Sequence, residues 1–169
     1  MTALILAIDC GNSRLKWGLH GSAGWRAQGK LDYAGLQGFA EQLRAQPRAD
    51  RVVAVNVAGP LVGEAVAAAV AALGIPQHWV KSQSAQYGVR NLYDHPEQLG
   101  ADRWAALIGA RTLHDGACLV VCAGTATTVD ILDAEGSFQG GLILPGVELM
   151  CRVLAANTAQ LPLADGKFA

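Results

Sequence analysis

The sequence of 169 residues is short of charge, of aromatic rings and of long apolar runs. Charged residues make up 16% and aromatics 6%, against 51% hydrophobic residues, so a disordered chain is excluded and a sizeable core is expected. The formal net charge is −1 and there is no basic run, so no nucleic-acid footprint is expected. No apolar stretch approaches the roughly 20 residues that a membrane span needs, so no membrane association is expected either. The chain enters its first apolar run without a basic leader or a cleavage-like site. No signal peptide is therefore expected, and a cytoplasmic location follows. Cysteine is sparse: Cys10, Cys118, Cys122 and Cys151 form no C-x-x-C pair and have no histidine cluster beside them. Reduced, buried thiols are expected rather than a disulfide or a zinc site. His20, His78, His95 and His114 have no spacing that suggests a metal or a triad and are expected on the surface or in loops. Trp17, Trp25, Trp79 and Trp104 are expected in packing roles.

What is present is an α/β pattern. "LILAIDC" (4–10) is an apolar run of strand length, and "RLKWGLH" (14–20) alternates, with Leu15, Trp17 and Leu19 on one face. A short link makes them a hairpin, and "WRAQGKLDY" supplies a third, weaker strand. A helix is expected over 36–47 from Leu36, Phe39, Ala40 and Leu43, then a strand over 51–59 and a helix ended by Gly74. "QHWVKS" reads as a short strand and 83–99 as a polar surface loop. "ADRWAALIGARTLH" (101–114) is helical. The hairpin theme then restarts with "CLVVCAG", "TTVDILD" and "SFQGGLILPG" as strands and "VELMCRVLAANTA" as a helix. The pattern predicts one unit over 1–100 and a second from 101 to 169, joined at the helix from 101. Asp9-Cys10-Gly11-Asn12-Ser13 aligns with Cys122-Ala123-Gly124-Thr125-Ala126. Such a repeat suggests two copies of one α/β unit facing each other across a cleft, with two glycine turns able to grip one polyphosphate.

The first turn offers specific chemistry. Gly11 permits positive φ and close backbone approach, Asn12 tolerates the left-handed region, and successive N–H groups can converge on an anion. Ser13 adds a hydroxyl, Asp9 can hold a Mg²⁺ ion against phosphate oxygens, and Lys16 can reach a terminal phosphate. A plain hairpin is the competing reading. In "AGTATT" Gly124 again permits close approach, and Thr125 and Thr127 offer hydroxyls; an ordinary threonine-rich strand competes. No lysine follows, so this is not the G-x-x-x-x-G-K-[ST] loop. In "EQLGADRW" an acid at a helix start is favourable with the helix dipole, so Asp102 reads as a capping carboxylate. Equally, Asp102 and Arg103 can present a base and a carboxylate-binding fork to one substrate. Asp130 and Asp133 are expected as turn or edge acids. "GGLILPG" either borders a nucleotide base or is a simple turn.

"DCGNSRLKWG", "NLYDHPEQLGADRW", "AGTATTVD", "GGLILPG" and "NTAQLP", in this order, closely resemble the type III pantothenate kinases, the family that includes the Bvg accessory factor proteins. The resemblance runs from about residue 4 to about residue 163. It implies a duplicated ribonuclease-H-like fold of the acetate and sugar kinase, Hsc70 and actin superfamily. It also implies ATP- and Mg²⁺-dependent phosphorylation of pantothenate to 4′-phosphopantothenate, the first step toward coenzyme A, by a homodimer. ATP phosphates are then expected at Asp9, Cys10, Gly11, Asn12, Ser13, Arg14, Leu15 and Lys16, with a further ATP contact at Thr125. Pantothenate is expected at Tyr93, Gly100, Ala101, Asp102 and Arg103, with Asp102 as catalytic base.

Three departures from the resembled pattern stand out. The family's second turn usually opens with an aspartate that helps hold potassium or ammonium; here the position is Cys122, and a neutral thiol is a poor ligand for a hard cation. A weakened monovalent-cation site is therefore expected. Ser13 stands where threonine is usual and keeps the hydroxyl. Family members also continue well past "TAQLP", so the chain is expected to be a fragment whose second unit is incomplete. Two other functions compete: a nucleotide-binding accessory protein without turnover, and a general actin- or Hsc70-like ATPase. The substrate-specific look of G-A-D-R and the tyrosine loop speaks against the latter.

Overall fold

A computed structural model describes residues 3–160 and 163. The final Leu and Pro of N-T-A-Q-L-P, and most of the tail after them, lie outside the described residues. The chain divides into two compact units: residues 1–83 with 97–105, and residues 84–96 with 106–169.

The first unit is built on a mixed sheet of order β3-β2-β1-β4-β5. Strands β1 (Ile5–Cys10), β2 (Leu15–Gly21) and β3 (Gly24–Leu31) form an antiparallel meander. Strand β4 (Arg51–Asn56) then pairs parallel with β1, and β5 (Gln77–Trp79) pairs parallel with β4. The alternation read in 14–20 is real: Leu15, Trp17 and Leu19 are buried while Lys16 and His20 are exposed. They join Leu6, Ile8, Phe39, Val52, Val66 and Val70 in one core. Each such side chain contributes roughly 1.5–3 kcal/mol by leaving water.

The helix expected over 36–47 is shorter than the periodicity implied. A 3-10 segment (Tyr33–Gly38) precedes α1 (Phe39–Arg44). Helix α2 (Pro60–Ala71) starts with proline behind Gly59 at φ +97° and stops before Gly74 at φ +62°. Arg48 donates to the carbonyls of Leu73 and Gly74 at 3.0 and 2.9 Å, closing that helix end.

The second unit has a mixed sheet of order β6-β7-β10-β9-β8. Strands β8 (Cys118–Ala123), β9 (Ala126–Leu132) and β10 (Ser137–Pro145) repeat the antiparallel meander of the first unit, followed by α4 (Val147–Asn157). The stretch expected as a loop at 83–99 instead supplies a hairpin, β6 (Ala85–Gln86) and β7 (Val89–Asn91). Tyr87 at φ 47° and Gly88 at φ 79° form its two-residue turn, the geometry that matches strand twist. Strand β7 then pairs parallel with β10. The unit boundary falls within α3 (Ala101–Leu113).

Two expectations about single residues change. Asp130 is not a turn or edge acid: it is fully buried in the middle of β9, because β8 and β10 flank that strand on both sides. Asp133 is a turn acid, accepting from the Ser137 N–H and the Gln139 amide at 2.6 Å each. The Ser137 bond is the main reason its carboxyl sits below the ordinary range. All four cysteines are thiols outside any disulfide, but only Cys10 is buried; Cys118 is intermediate, and Cys122 and Cys151 are exposed. Strand β8 lies at the edge of its sheet, which leaves Cys122 open. The four histidines are exposed as expected, and Trp25, though 56% exposed, packs edge-on to His20 and over Gly18.

Candidate active site

The first hairpin delivers the charged groups. Its register sets Asp9 opposite Lys16 and Cys10 opposite Leu15. Lys16 Nζ lies 3.4 Å from Asp9 Oδ2, with both side chains partly open to solvent. An exposed pair of this kind contributes at most about 1 kcal/mol, so either partner is available to a ligand at little cost. Cys10 and Leu15 are fully buried, so any part they take in binding runs through their backbone. Burial first, and Asp9 second, push the Cys10 thiol up to about 12. Asn12 and Ser13 are exposed at the tip, and Arg14 is half-buried.

Gly11 and Asn12 are residue types that permit positive φ, but neither adopts it. The link from Gly11 to Arg14 is long enough to reverse the chain without a left-handed residue. Gly11 instead leaves space, since a Cβ there would lie 3.4 Å from the Arg14 carbonyl and 3.8 Å from Asp9 Oδ1. Its own carbonyl accepts a hydrogen bond from the Tyr33 hydroxyl.

The same end of the sheet holds the start of α3. Parallel pairing sets Cys10 opposite Asn56, and the Val57 N–H donates to the Cys10 carbonyl at 3.0 Å. The Asn56 side chain fixes the following turn, accepting from Ala58 N–H at 3.0 Å and donating to the Gly59 carbonyl at 2.9 Å. A Cβ on Gly100 would lie 3.9 Å from Val57 Cγ1, so Val57 bridges the first hairpin and the G-A-D-R segment. The Ser82 hydroxyl donates to the Leu99 carbonyl at 2.6 Å and holds the chain entering that segment. Asp102 Oδ1 accepts the Arg103 N–H at 2.8 Å, and the Trp104 N–H to Gly100 carbonyl bond opens the helix. A Cβ at Gly100 would come within 2.6 Å of Asp102 Oδ1, so the glycine makes room for this carboxylate. The Asp102 carboxylate also lies at the positive end of the helix dipole. Ala101 and Asp102 are half-buried and Arg103 is buried.

Among the described residues, no group of three or more His, Cys, Asp or Glu gathers to hold a metal ion. A single, partly exposed Asp9 nonetheless suits Mg²⁺, which keeps several waters and takes further ligands from substrate phosphates.

The second hairpin is held differently. Cys122 pairs with Thr128 and Ala123 with Thr127, and the Gly124 N–H donates to the Ala126 carbonyl at 3.0 Å. Gly146, at the start of α4, donates its N–H to the Thr125 carbonyl at 2.9 Å. A Cβ on Gly146 would fall 2.0 Å from the Gly124 carbonyl and 2.7 Å from that of Thr125. "GGLILPG" is thus the support behind the second turn. Tyr93 belongs to the same unit: its ring lies 5.2 Å from Phe138, and its N–H donates to Asn91 Oδ1 at 3.1 Å. Buried Asn91 also donates to the Pro96 carbonyl, shaping the whole tyrosine loop.

The first unit therefore brings Asp9, Gly11 and Lys16 to the same sheet end as Gly100, Ala101 and Asp102, while Tyr93, Cys122 and Thr125 belong to the second unit. The supporting roles of Tyr33, Val57, Ser82 and Asn91 were missed by sequence reasoning, and Gly146 was read only as part of a turn. Only Gly146 carried a signal, as the glycine of a Pro-Gly turn.

A family model for type III pantothenate kinase matches residues 5–167. The type III pantothenate kinase of Aromatoleum aromaticum is 53% identical over 165 residues, covering 98% of this chain and 68% of that protein. That of Azoarcus sp. is 52% identical over 165 residues, covering 96% of this chain and 63% of its own. That of Bordetella pertussis is 42% identical, covering 98% and 66%. The chain thus spans 63% to 68% of the length of these relatives. Among solved structures, the ethanolamine utilization protein EutJ from Carboxydothermus hydrogenoformans superposes with a TM-score of 0.52 at 14% identity, covering 94% of this chain and 57% of its own. A putative 2-dehydro-3-deoxygalactonokinase from Sinorhizobium meliloti gives 0.51 at 17%, covering 92% and 58%. These two likenesses speak to fold alone. With a family model matching residues 5–167 and relatives of that one description aligned over 165 residues, the chain belongs to the type III pantothenate kinase family.

Proposed function

We propose that the protein transfers the γ-phosphoryl group of ATP to pantothenate, giving 4′-phosphopantothenate at the entry to coenzyme A synthesis. The observation that carries this reading is the shared sheet end in the first unit. The C-termini of parallel β1 and β4 gather the Asp9–Lys16 hairpin and the Gly100–Asp102 helix start, joined through Val57. Phosphoryl transfer asks a protein for positioning and charge neutralisation more than for covalent help. Backbone N–H groups from Gly11 to Leu15 and the Lys16 ammonium take the phosphates. Asp9 would hold Mg²⁺, which neutralises charge on the phosphate oxygens. The Asp102 carboxylate accepts the proton of the pantothenate hydroxyl as its oxygen bonds to the γ-phosphorus and the bond to ADP breaks. Arg103, Gly100, Ala101 and Tyr93 hold pantothenate, and Thr125 adds an ATP contact.

A homodimer in the cytoplasm completes the reading, supported by the family resemblance. Among the described residues, no helix is long and apolar enough to cross a membrane. Incubating the full-length protein with ATP, Mg²⁺ and pantothenate and following ³¹P resonances tests the reaction. A new phosphomonoester signal that requires pantothenate is expected; ATP hydrolysis to inorganic phosphate alone would refute the assignment.

A further inference from the structure

The Gly11 carbonyl, at the tip of the first hairpin, takes its hydrogen bond from a side chain outside that hairpin: Tyr33. Tyr33 opens the 3-10 segment that follows β3, and its ring packs, partly buried, against the core of the first unit. The peptide between Gly11 and Asn12 is trans and planar, so the Gly11 carbonyl and the Asn12 N–H point in opposite directions. Holding the carbonyl toward Tyr33 therefore turns the Asn12 N–H away from it. Asn12 itself is exposed, while Cys10 just before the turn is locked in the core.

We propose that Tyr33 is a positioning residue for phosphate binding: its hydroxyl fixes the Gly11–Asn12 peptide plane and so presets the Asn12 N–H toward the ATP phosphates. The inference rests on the phosphate-binding reading of the Asp9–Lys16 hairpin. Without the phenol oxygen the Gly11 carbonyl loses its partner, and the peptide is free to rotate. ATP must then pay the ordering entropy of the turn on binding. The phenol is a stable donor at working pH, because burial, then the neighbouring Cys10 and Asp9, push it up to about 12.

The test uses the full-length protein and two variants, Tyr33→Phe and Lys16→Ala, with ATP affinity measured calorimetrically and steady-state kinetics in each substrate. Tyr33→Phe keeps the packed ring and removes one oxygen. It is expected to weaken ATP binding and raise KM for ATP roughly three- to ten-fold, the size of one lost hydrogen bond. KM for pantothenate at saturating ATP and the melting temperature should stay close to the parent's. Weakened ATP binding in Lys16→Ala with unchanged binding in Tyr33→Phe would overturn the Tyr33 role and leave the hairpin reading intact. Unchanged binding in both would overturn the hairpin reading and the Tyr33 role with it. An equal rise in KM for both substrates in Tyr33→Phe would reduce Tyr33 to a general structural contact and also overturn the proposal.

Discussion

The two hairpins share a plan and differ in chemistry. In the first, an acid and a lysine face each other across the strands, and a tyrosine from outside the hairpin holds the tip. In the second, residues 122–128 carry no charged side chain, and the tip is held by the backbone N–H of Gly146. A duplicated backbone can thus divide labour. On the proposed reading, the first copy, with Asp102 in the same unit, supplies the groups that meet charge and accept a proton; the second offers hydroxyls and main chain. The support changes in step: the first tip takes its hydrogen bond from a side-chain hydroxyl, the second from the backbone N–H of a glycine that lets the chains approach.

The sharpest test of that division is Asp102→Asn in the full-length protein. Loss of the base should lower kcat by roughly 10²- to 10⁴-fold with the fold unchanged by circular dichroism. Near-normal turnover would return Asp102 to a helix-start acid and erase the chemical asymmetry. Gly146→Ala probes the other support. A Cβ placed 2.0 Å from a backbone carbonyl forces the chain to move. Overpacking of this kind costs about 1–3 kcal/mol, so a lower melting temperature and weaker ATP binding are expected. A variant that melts and binds like the parent would show that the second turn needs no such close approach.

Legibility in the sequence followed range. Strands β1, β2 and β4 were readable because their apolar runs or alternation extend over six or seven residues. Strands β6 and β7 were not, because two and three residues show no period; their turn depends on Tyr87 accepting positive φ, which composition does not announce. Asp130 misled because its burial comes from sheet order, a non-local property. The first helix was overextended because a 3-10 turn and an α-turn place apolar residues at similar spacing. In the site, the place of Lys16 on the exposed face of β2 followed from strand alternation, whereas its pairing with Asp9 depends on the hairpin register. Tyr33 did not, since its reach to Gly11 depends on where β3 returns the chain, and Val57 and Ser82 act through contacts invisible in a motif.

Cys122 offers a gentler probe of the second hairpin. A thiol is a poorer ligand than a carboxylate for a hard monovalent cation. Turnover of the native protein in Tris buffer should respond little to added potassium, and Cys122→Asp should gain a response. A steep potassium requirement in the native protein would show that other ligands build the site and would narrow the difference between the hairpins.

The smallest expected effect concerns Cys10. Its folded pKa, about 12, lies above the ordinary 9.0. Below pH 9 the thiol is neutral in both states and its contribution to stability is whole; as pH rises from 9 through 12, the unfolded chain sheds this proton first and stability falls. Melting temperature should therefore decline in that window, less steeply in Cys10→Ala. At neutral pH, iodoacetamide should label exposed Cys122 and Cys151 well before Cys10. Early labelling of Cys10 would mean that the base of the first hairpin opens readily.

Pantothenate-dependent ADP release by the full-length protein, compared with its Asp102→Asn variant under identical ATP and Mg²⁺, tests the central claim most directly. The account predicts ADP release that rises with pantothenate in the parent and is nearly abolished in the variant. Release that ignores pantothenate, or that persists in Asp102→Asn, would contradict it.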